Sequence, residues 1–187
     1  MKSKLFLLLV PLITSFNFCE KCICSHSSQT VDCSSRQLND KSIYRADGTF
    51  PELPTYTTKF YIRHNFLTNA EFIADAENLE VLDLTWNNIT KLPYDIFDDL
   101  DQLRVLKLGH NLLETLDDDI FEWNPLNLQL VDFSHNKLRF IQHFLFYDTN
   151  KLNEIHLQHN EIRWIHPHTF DNLEELRILD LSYARNF

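Results

Sequence analysis

Short segments that alternate between apolar and polar positions recur along most of the chain. In LRVLKLGHNLL, Leu106 and Leu108 fall on alternate positions, a spacing typical of a short strand with one buried face. A polar residue, Asn111, then interrupts the apolar positions. The same arrangement returns three more times, so the pattern predicts one short strand in each copy. These copies occupy residues 79–89, 103–113, 128–138 and 152–162.

The copies share an asparagine at a fixed place in the pattern L-x-x-L-x-L-x-x-N-x-L. These asparagines are separated by 24, 25 and 24 residues, and a less regular copy precedes them at residues 58–67. Periods of this length with this spacing are the signature of leucine-rich repeats, whose strands pair in parallel. We assign residues 53–187 to about five repeats and a partial sixth. The predicted asparagine ladder is Asn65, Asn87, Asn111, Asn136 and Asn160.

The asparagine has a structural explanation. After each strand the backbone must turn sharply, which leaves N–H and C=O groups without partners in the sheet, and buried backbone groups need partners. An asparagine side chain offers both an acceptor and a donor. We therefore expect each asparagine to bind the turn backbone of its own coil and of a neighbouring coil.

The other half of each repeat carries a phenylalanine at constant spacing. Short, interrupted segments there predict single turns or 3-10 helices instead of long helices. The phenylalanines should stack into an aromatic column on the convex side. They are Phe97, Phe121, Phe146 and Phe170.

The N-terminus has the features of a secretory signal peptide. Two lysines precede an apolar stretch at residues 5–13, and small or polar residues follow. That stretch is about half of the roughly 20 residues that a membrane-spanning helix needs, so an N-terminal anchor is the weaker alternative. We assign residues 1–18 to the signal peptide, with cleavage between Ser15 and Phe18. No later segment is apolar enough to span a bilayer, so we expect a secreted, extracellular protein.

Four cysteines follow the signal peptide, at positions 19, 22, 24 and 33. An even number of cysteines in an exported chain predicts two disulfides. A zinc site that uses Cys22, Cys24 and His26 is the weaker alternative, because no second C-x2-C pair is present. We assign residues 19–52 to a cysteine-rich cap and a connecting loop, with TVDC pairing as a strand onto the first coil. Residues 39–56 are polar and turn-rich, which predicts an irregular loop.

These residues carry a family resemblance. The pattern C-x2-C-x-C-x8-C followed by SSRQL resembles the N-terminal cap of extracellular leucine-rich repeat proteins such as Slit, Toll-like and Nogo-type receptors and small proteoglycans. The resemblance implies an α/β, right-handed horseshoe with a parallel sheet on its concave face. It also implies disulfides Cys19–Cys24 and Cys22–Cys33, and a ligand-binding or adhesion role without catalysis.

The last copy ends in LDLSYARNF, with Ala184 at the place of the ladder asparagine. Repeat arrays need covered ends, and no cysteine-rich segment follows here. We favour an incomplete product of a longer gene. The alternative is that the exposed end binds a partner or a second copy of the chain.

Charge and motifs limit the classes of function. The chain has 17 Lys and Arg against 27 Asp and Glu, a net charge of -10, which disfavours nucleic acid as a partner. It contains no nucleophile, metal-hydrolase or glycine-rich phosphate motif, so we expect neither catalysis, nor a metal, nor a cofactor. An extracellular protein ligand or receptor is the expected partner, and a structural matrix component is the alternative.

The default recognition surface is the concave face of the sheet. Aromatic and arginine side chains are favoured anchors of protein interfaces, although any one of these positions could be merely solvated. The candidate binding residues are Tyr61, Arg63, Asp83, Trp86, Lys107, Asp132, His156 and Tyr183.

A column of mostly histidine residues should lie on the turn side of the sheet, with neighbours about 5 Å apart. Such a row could sense acid or bind a divalent metal. Duplication of one ancestral unit explains the repetition equally, and we favour it. The members are His64, Trp86, His110, His135, His159 and Tyr183.

Two surface features remain. Asn88 begins the sequon N-I-T, which predicts a glycan beside the asparagine ladder. The acidic runs FDDLD and DDD fall on the convex side, where calcium binding is the weaker alternative to a solvated acidic face.

Overall fold

The coils of the chain stack side by side, each contributing one short strand to a shared sheet. Apart from Phe18, the predicted signal peptide of residues 1–18 lies outside the described residues. The computed structural model describes residues 18–43, 51–73, 76–122 and 127–184. The strands are β1 Ile23–Ser25, β2 Thr30–Asp32, β3 Lys59–Tyr61, β4 Val81–Asp83, β5 Val105–Lys107, β6 Leu130–Asp132, β7 Phe140–Ile141, β8 Glu154–His156, β9 Trp164–Ile165 and β10 Ile178–Asp180.

Eight strands form one sheet in the order β1-β2-β3-β4-β5-β6-β8-β10. The pair β1–β2 is antiparallel, and every later pair in this sheet is parallel. The pairing places candidate binding residues side by side: Tyr61 lies beside Asp83, and Lys107 lies beside Asp132. The predicted leucine-rich-repeat solenoid with a parallel sheet is therefore confirmed.

Alternation along each strand separates the core from the concave surface. In β5, Leu106 is fully buried while its neighbours Val105 and Lys107 are half-buried. Leu82 and Val131 occupy the same place in adjacent coils and are also fully buried. Because one apolar residue per coil stacks on the next, the core is a continuous column of side chains instead of a central cluster.

The asparagine of each coil binds two coils at once. The Asn111 side chain donates from Nδ2 to the carbonyl of Leu84 in the preceding coil and to that of Leu108 in its own, both at 3.0 Å. Its Oδ1 accepts from the backbone N of Ile89 at 3.0 Å. Equivalent contacts occur at Asn87, Asn136 and Asn160, so each buried amide fixes the spacing of two successive turns.

Two disulfides hold the N-terminal cap. They join Cys19 to Cys24 and Cys22 to Cys33, the pairing that the resemblance implies. Strand β2 pairs in parallel with β3, as expected for TVDC. The cap also contains the short helix α1, Phe18–Lys21, whose Phe18 ring packs against that of Phe60 at 5.6 Å.

The connecting loop is more ordered than the sequence predicts. Within residues 39–56, Asp40–Ile43 forms the short helix α2 and its last residue is fully buried. The prediction of an irregular loop is therefore wrong for this turn. Burial of the apolar Ile43 in the core outweighs the polar composition around it. Residues 44–50 lie outside the described residues.

The convex side contains turns and short 3-10 helices at Glu71–Ile73 and Phe144–Phe146. The predicted phenylalanine column is present, with successive ring centroids 5.7, 6.3 and 6.0 Å apart. A second, two-stranded parallel sheet, β7–β9, was not predicted from the sequence. Two-residue strands are too short to produce a readable alternation.

At the other end of the main sheet, Leu179 of β10 is 37% exposed, although the equivalent residues of earlier coils are fully buried. Ile178 is 44% exposed. Within the described residues, no helix has the length and apolar content needed to cross a membrane.

Replacing Asn111 with Ala should lower the free energy of unfolding by about 2–4 kcal/mol, because each buried backbone group left without a partner costs about 1–3 kcal/mol. Urea unfolding of the two proteins measures this difference. Asn150→Ala, an exposed change on the convex side, should alter stability by less than about 0.5 kcal/mol. Equal effects of the two substitutions would contradict the structural role of the ladder.

Candidate binding surface on the concave sheet and its turn edge

The third residue after the end of each of the strands β3, β4, β5, β6, β8 and β10 adopts a left-handed backbone conformation. Such φ angles are uncommon for residues other than glycine and cost about 1–2 kcal/mol each. In five of the six coils the conformation reverses the chain directly before the ladder asparagine, which binds the turn from within, and in the last coil Tyr183 precedes Ala184 instead. The residues and angles are His64 (φ 52), Trp86 (φ 59), His110 (φ 56), His135 (φ 52), His159 (φ 56) and Tyr183 (φ 56).

The six side chains at these positions form one uninterrupted stack, which we call the ring row. Centroid distances from His64 to Tyr183 are 5.2, 3.7, 4.0, 4.2 and 4.4 Å, and the interplanar angles are 18° or less. The strand spacing of about 4.8 Å places identical positions near stacking distance. Each ring therefore covers the face of its neighbour and presents an edge to solvent.

The ring row lies outside the core. Trp86 is 49% exposed and Tyr183 is 76% exposed. Imidazole, indole and phenol edges combine an apolar body with hydrogen-bonding atoms, a combination that suits a protein interface. Because neighbouring rings occupy the faces, a flat ligand cannot insert between them.

Burial lowers the pKa of the imidazoles of His110 and His135. The charge of His135 lowers the pKa of His110 further, and that of His159 lowers the pKa of His135. The carboxylate of Asp132 opposes both shifts. The centre of the ring row is therefore most stable with neutral rings.

The N-terminal part of the concave face contains a charged cluster around Arg63. Its guanidinium lies 5.1 Å from the ring centroid of Tyr61 and 3.9 Å from carboxylate oxygens of both Asp32 and Asp83. The structure thus brings together three of the predicted binding residues: Tyr61, Arg63 and Asp83.

Asp83, however, is only 6% exposed, and its carboxylate is already engaged. Its Oδ1 accepts from the backbone N of Thr85 at 3.1 Å and from the Thr85 hydroxyl at 2.7 Å. Asp132 and Asp180 accept from the backbone two residues later in the same way. A hydrogen bond from the Ser182 side chain, together with the one from the Ser182 backbone N, lowers the pKa of Asp180. The aspartate column thus stabilises the turns.

The centre of the concave face depends on Gly109. A Cβ atom at this position would lie 2.9 Å from Asp132 Oδ2 and 3.0 Å from Ser134 Oγ. The glycine therefore makes room for the Asp132 carboxylate, a requirement that the repeat pattern does not show. Lys107 is half-buried nearby, and His156 Nε2 lies 3.5 Å from Glu154 Oε2.

The predicted site residues thus separate into two groups. Trp86 and Tyr183 belong to the ring row, near its two ends, and the other six lie on the sheet. The sequence predicts the column of histidines between them and its spacing, but repetition alone does not show that the rings stack. Within the described residues, no group of three or more His, Cys, Asp or Glu side chains could hold a metal ion.

Comparison with known proteins identifies the family. The family described as Leucine rich repeat matches residues 77–125 and 127–185. This chain belongs to the leucine-rich repeat family. The assignment agrees with the parallel sheet and with the buried asparagine in each coil.

Individual relatives cover different parts of the chain. Epiphycan of Gallus gallus is 30% identical over 87% of this chain and 54% of its own length. Leucine-rich repeat-containing G-protein coupled receptor 5 of Rattus norvegicus is 34% identical over 71% of this chain and 14% of its own length. The chain thus spans about half or less of these relatives. A structure of the Drosophila Toll–Spatzle complex has a TM-score of 0.64 and 32% identity, covering 73% of this chain and 20% of that one.

Acidification should destabilise the fold through the ring row. The unfolded-state pKa of histidine is about 6.5, and the folded-state pKa of His110 and His135 is lower. The unfolded chain therefore binds more protons in this window, so stability falls as the pH drops below about 6.5. Thermal unfolding at about pH 7.4 and about pH 5.5 measures the loss.

The double variant His110→Asn/His135→Asn should lose less Tm on acidification, since asparagine tolerates the left-handed conformation and does not titrate. His26→Asn, an exposed histidine outside the ring row, should behave as the wild type. An unchanged acid sensitivity in the double variant would rule out the ring row as its source.

Proposed function

We propose that this chain is an extracellular binding module that holds a protein partner on its concave sheet and ring row. The observation that supports this proposal best is the ring row itself. Six ring side chains occupy strained backbone positions outside the core, where smaller residues would satisfy the turn at lower cost. Strain of this kind concentrates at functional sites.

The adjacent sheet adds specificity. Its central column mixes charges, with Lys107 between Asp83 and Asp132 and with His156 beyond. Mixed charge on a rigid surface selects the register and orientation of a partner more than it adds affinity. A protein with complementary charges, and polar groups that reach the ring edges, fits this surface better than a small flat ligand does.

The comparisons support the same class of function. The Drosophila structure is a complex of Toll with Spatzle, and the part of it that matches this chain has the same fold. The rat relative is a receptor by name. Together with two disulfides in the cap, these relatives favour an exported recognition protein without catalysis.

Glycosylation would shape the binding surface. Asn88 is exposed and lies two residues after Trp86, on the outer side of the same turn. A glycan there would shield the N-terminal part of the ring row and leave the part from His135 to Tyr183 open. The partner should therefore contact the C-terminal half of the ring row more closely.

The mass of the chain secreted from animal cells tests export and glycosylation together. We expect cleavage between Ser15 and Phe18, which gives an N-terminus at Phe16, Asn17 or Phe18, and a glycan that is lost in Asn88→Gln. Retention of the chain inside the cell, or an unmodified Asn88 in the secreted protein, would contradict the corresponding part of the proposal.

The binding proposal predicts the effect of removing single rings. The mature chain is used to capture a ligand from extracellular fluid, and the Kd of that purified ligand is then measured. His135→Asn and His159→Asn should each weaken binding by about 10-fold, as expected for interface anchors. Asparagine keeps the left-handed turn, so the fold is preserved.

Tyr94→Asn is the matched control, because Tyr94 is 65% exposed on the convex side. It should leave the Kd unchanged. Weaker binding by Tyr94→Asn, or unchanged binding by His135→Asn and His159→Asn, would exclude the ring row as the binding surface.

Sedimentation of the chain alone, over a range of concentrations, tests self-association through the exposed Ile178 and Leu179.

A further inference from the structure

A second exposed aromatic surface lies outside the main sheet. Phe140, Phe144 and Tyr147 are each 51% exposed, and Trp164 is 47% exposed. Phe140 and Trp164 are register partners in the two-stranded sheet β7–β9. Contiguous exposed apolar surface of this kind marks interaction sites in soluble proteins.

Ring contacts connect these side chains into one surface. Trp164 contacts His166 at 5.6 Å, and His166 stacks on His143 at 4.4 Å. His143 in turn contacts Phe144 at 4.3 Å, and Phe144 meets Tyr147 edge-on at 5.8 Å. We call this surface the edge patch: Phe140, His143, Phe144, Tyr147, Trp164 and His166.

The edge patch stands on fixed backbone. The backbone N of His166 donates to the carbonyl of Ile141 at 2.9 Å, which holds the two small strands together. The backbone N of Phe144 donates to Asp118 Oδ1 at 2.9 Å, which fixes the 3-10 helix at its first residue. A partner would therefore meet rings that are already in place, so little conformational entropy is lost on binding.

Carboxylates border one end of the edge patch. Phe144 and Tyr147 line a cleft of about 310 Å³ together with four acidic side chains. These are Asp118, Asp119, Glu122 and Asp148. A neighbouring cleft of about 480 Å³ shares Tyr147 and Asp148 and adds further carboxylates. Its lysine, Lys151, already donates to Asn127 Oδ1 at 2.8 Å.

We propose that the edge patch binds a basic segment of a partner protein. A lysine or arginine side chain of that segment occupies the cleft between the carboxylates and the rings of Phe144 and Tyr147. A cation near an aromatic face is attracted by the negative face of the ring, and nearby carboxylates add to this attraction. Apolar side chains of the same segment cover Phe140 and Trp164.

Charge distinguishes this partner from the alternatives. A second copy of the chain carries a net charge of -10 and would bring like charge to an acidic cleft. Anionic lipid and nucleic acid are repelled for the same reason. The edge patch shares no residue with the ring row, so one chain can hold a ligand on its concave side and a basic partner here.

An earlier coil provides an internal control. A groove of about 400 Å³ there is lined by four carboxylates but, among the described residues, by no aromatic ring. Its acidic residues are Glu71, Asp95, Asp98 and Asp99. If charge alone attracted basic segments, this groove would serve as well as the edge patch.

The test uses a dye-labelled peptide in which arginine alternates with leucine, and a matching peptide with glutamate in place of arginine. Fluorescence anisotropy measures binding to the mature chain. The arginine peptide should bind, more weakly at higher salt, and the glutamate peptide should not. Phe144→Ser/Tyr147→Ser and Asp119→Asn/Glu122→Gln should each raise the Kd by at least about 10-fold.

Asp95→Asn/Asp99→Asn in the control groove and His135→Asn in the ring row should leave the Kd unchanged. Asp119→Asn/Glu122→Gln changes only exposed side chains and leaves every aromatic ring in place. Its result therefore tests the proposal even if Phe144→Ser/Tyr147→Ser unfolds. Absence of arginine-peptide binding, an equal loss in the control groove variant, or binding to anionic phospholipid vesicles would overturn the proposal.

Discussion

The hydrogen bonds of the asparagine ladder are the constraint on which the rest of the structure depends. Each amide joins carbonyls of two successive coils, as Asn111 does with Leu84 and Leu108. This contact fixes the separation and register of the coils at the turn. The remaining side-chain columns are a consequence, because side chains at the same position in successive coils must then lie one strand spacing apart.

The same constraint produces surfaces that the hydrophobic core does not require. Locked turns place large rings in left-handed positions, where stacking with neighbours offsets part of the backbone strain. Farther along the last coils, equal spacing pairs Phe140 with Trp164 on a second small sheet. One repeat unit thus creates two aromatic surfaces with different borders: a mixed-charge sheet beside the ring row, and carboxylates beside the edge patch.

Periodicity in the sequence predicts what recurs in every coil: the parallel strands, the buried asparagines and the phenylalanine column. It misses what depends on one coil alone. Asp83 is a candidate binding residue in the sequence, yet its carboxylate is buried and accepts a hydrogen bond from the Thr85 hydroxyl. Gly109 is required by its close approach to Asp132, and helix α2 forms where a single residue, Ile43, is buried. The edge patch joins two segments, residues 140–147 and 164–166, through ring contacts that the repeat spacing alone does not predict.

Hydrogen exchange of the amides that bind the ladder tests the central claim most directly. The backbone N–H groups of Ile89, Leu113 and Leu138 donate to asparagine Oδ1 atoms and not to the sheet. They should exchange as slowly as the amides of β5 and β6, since opening them requires separating two coils. Exchange of these three amides at the rate of an unfolded chain, while the strands stay protected, would contradict the account.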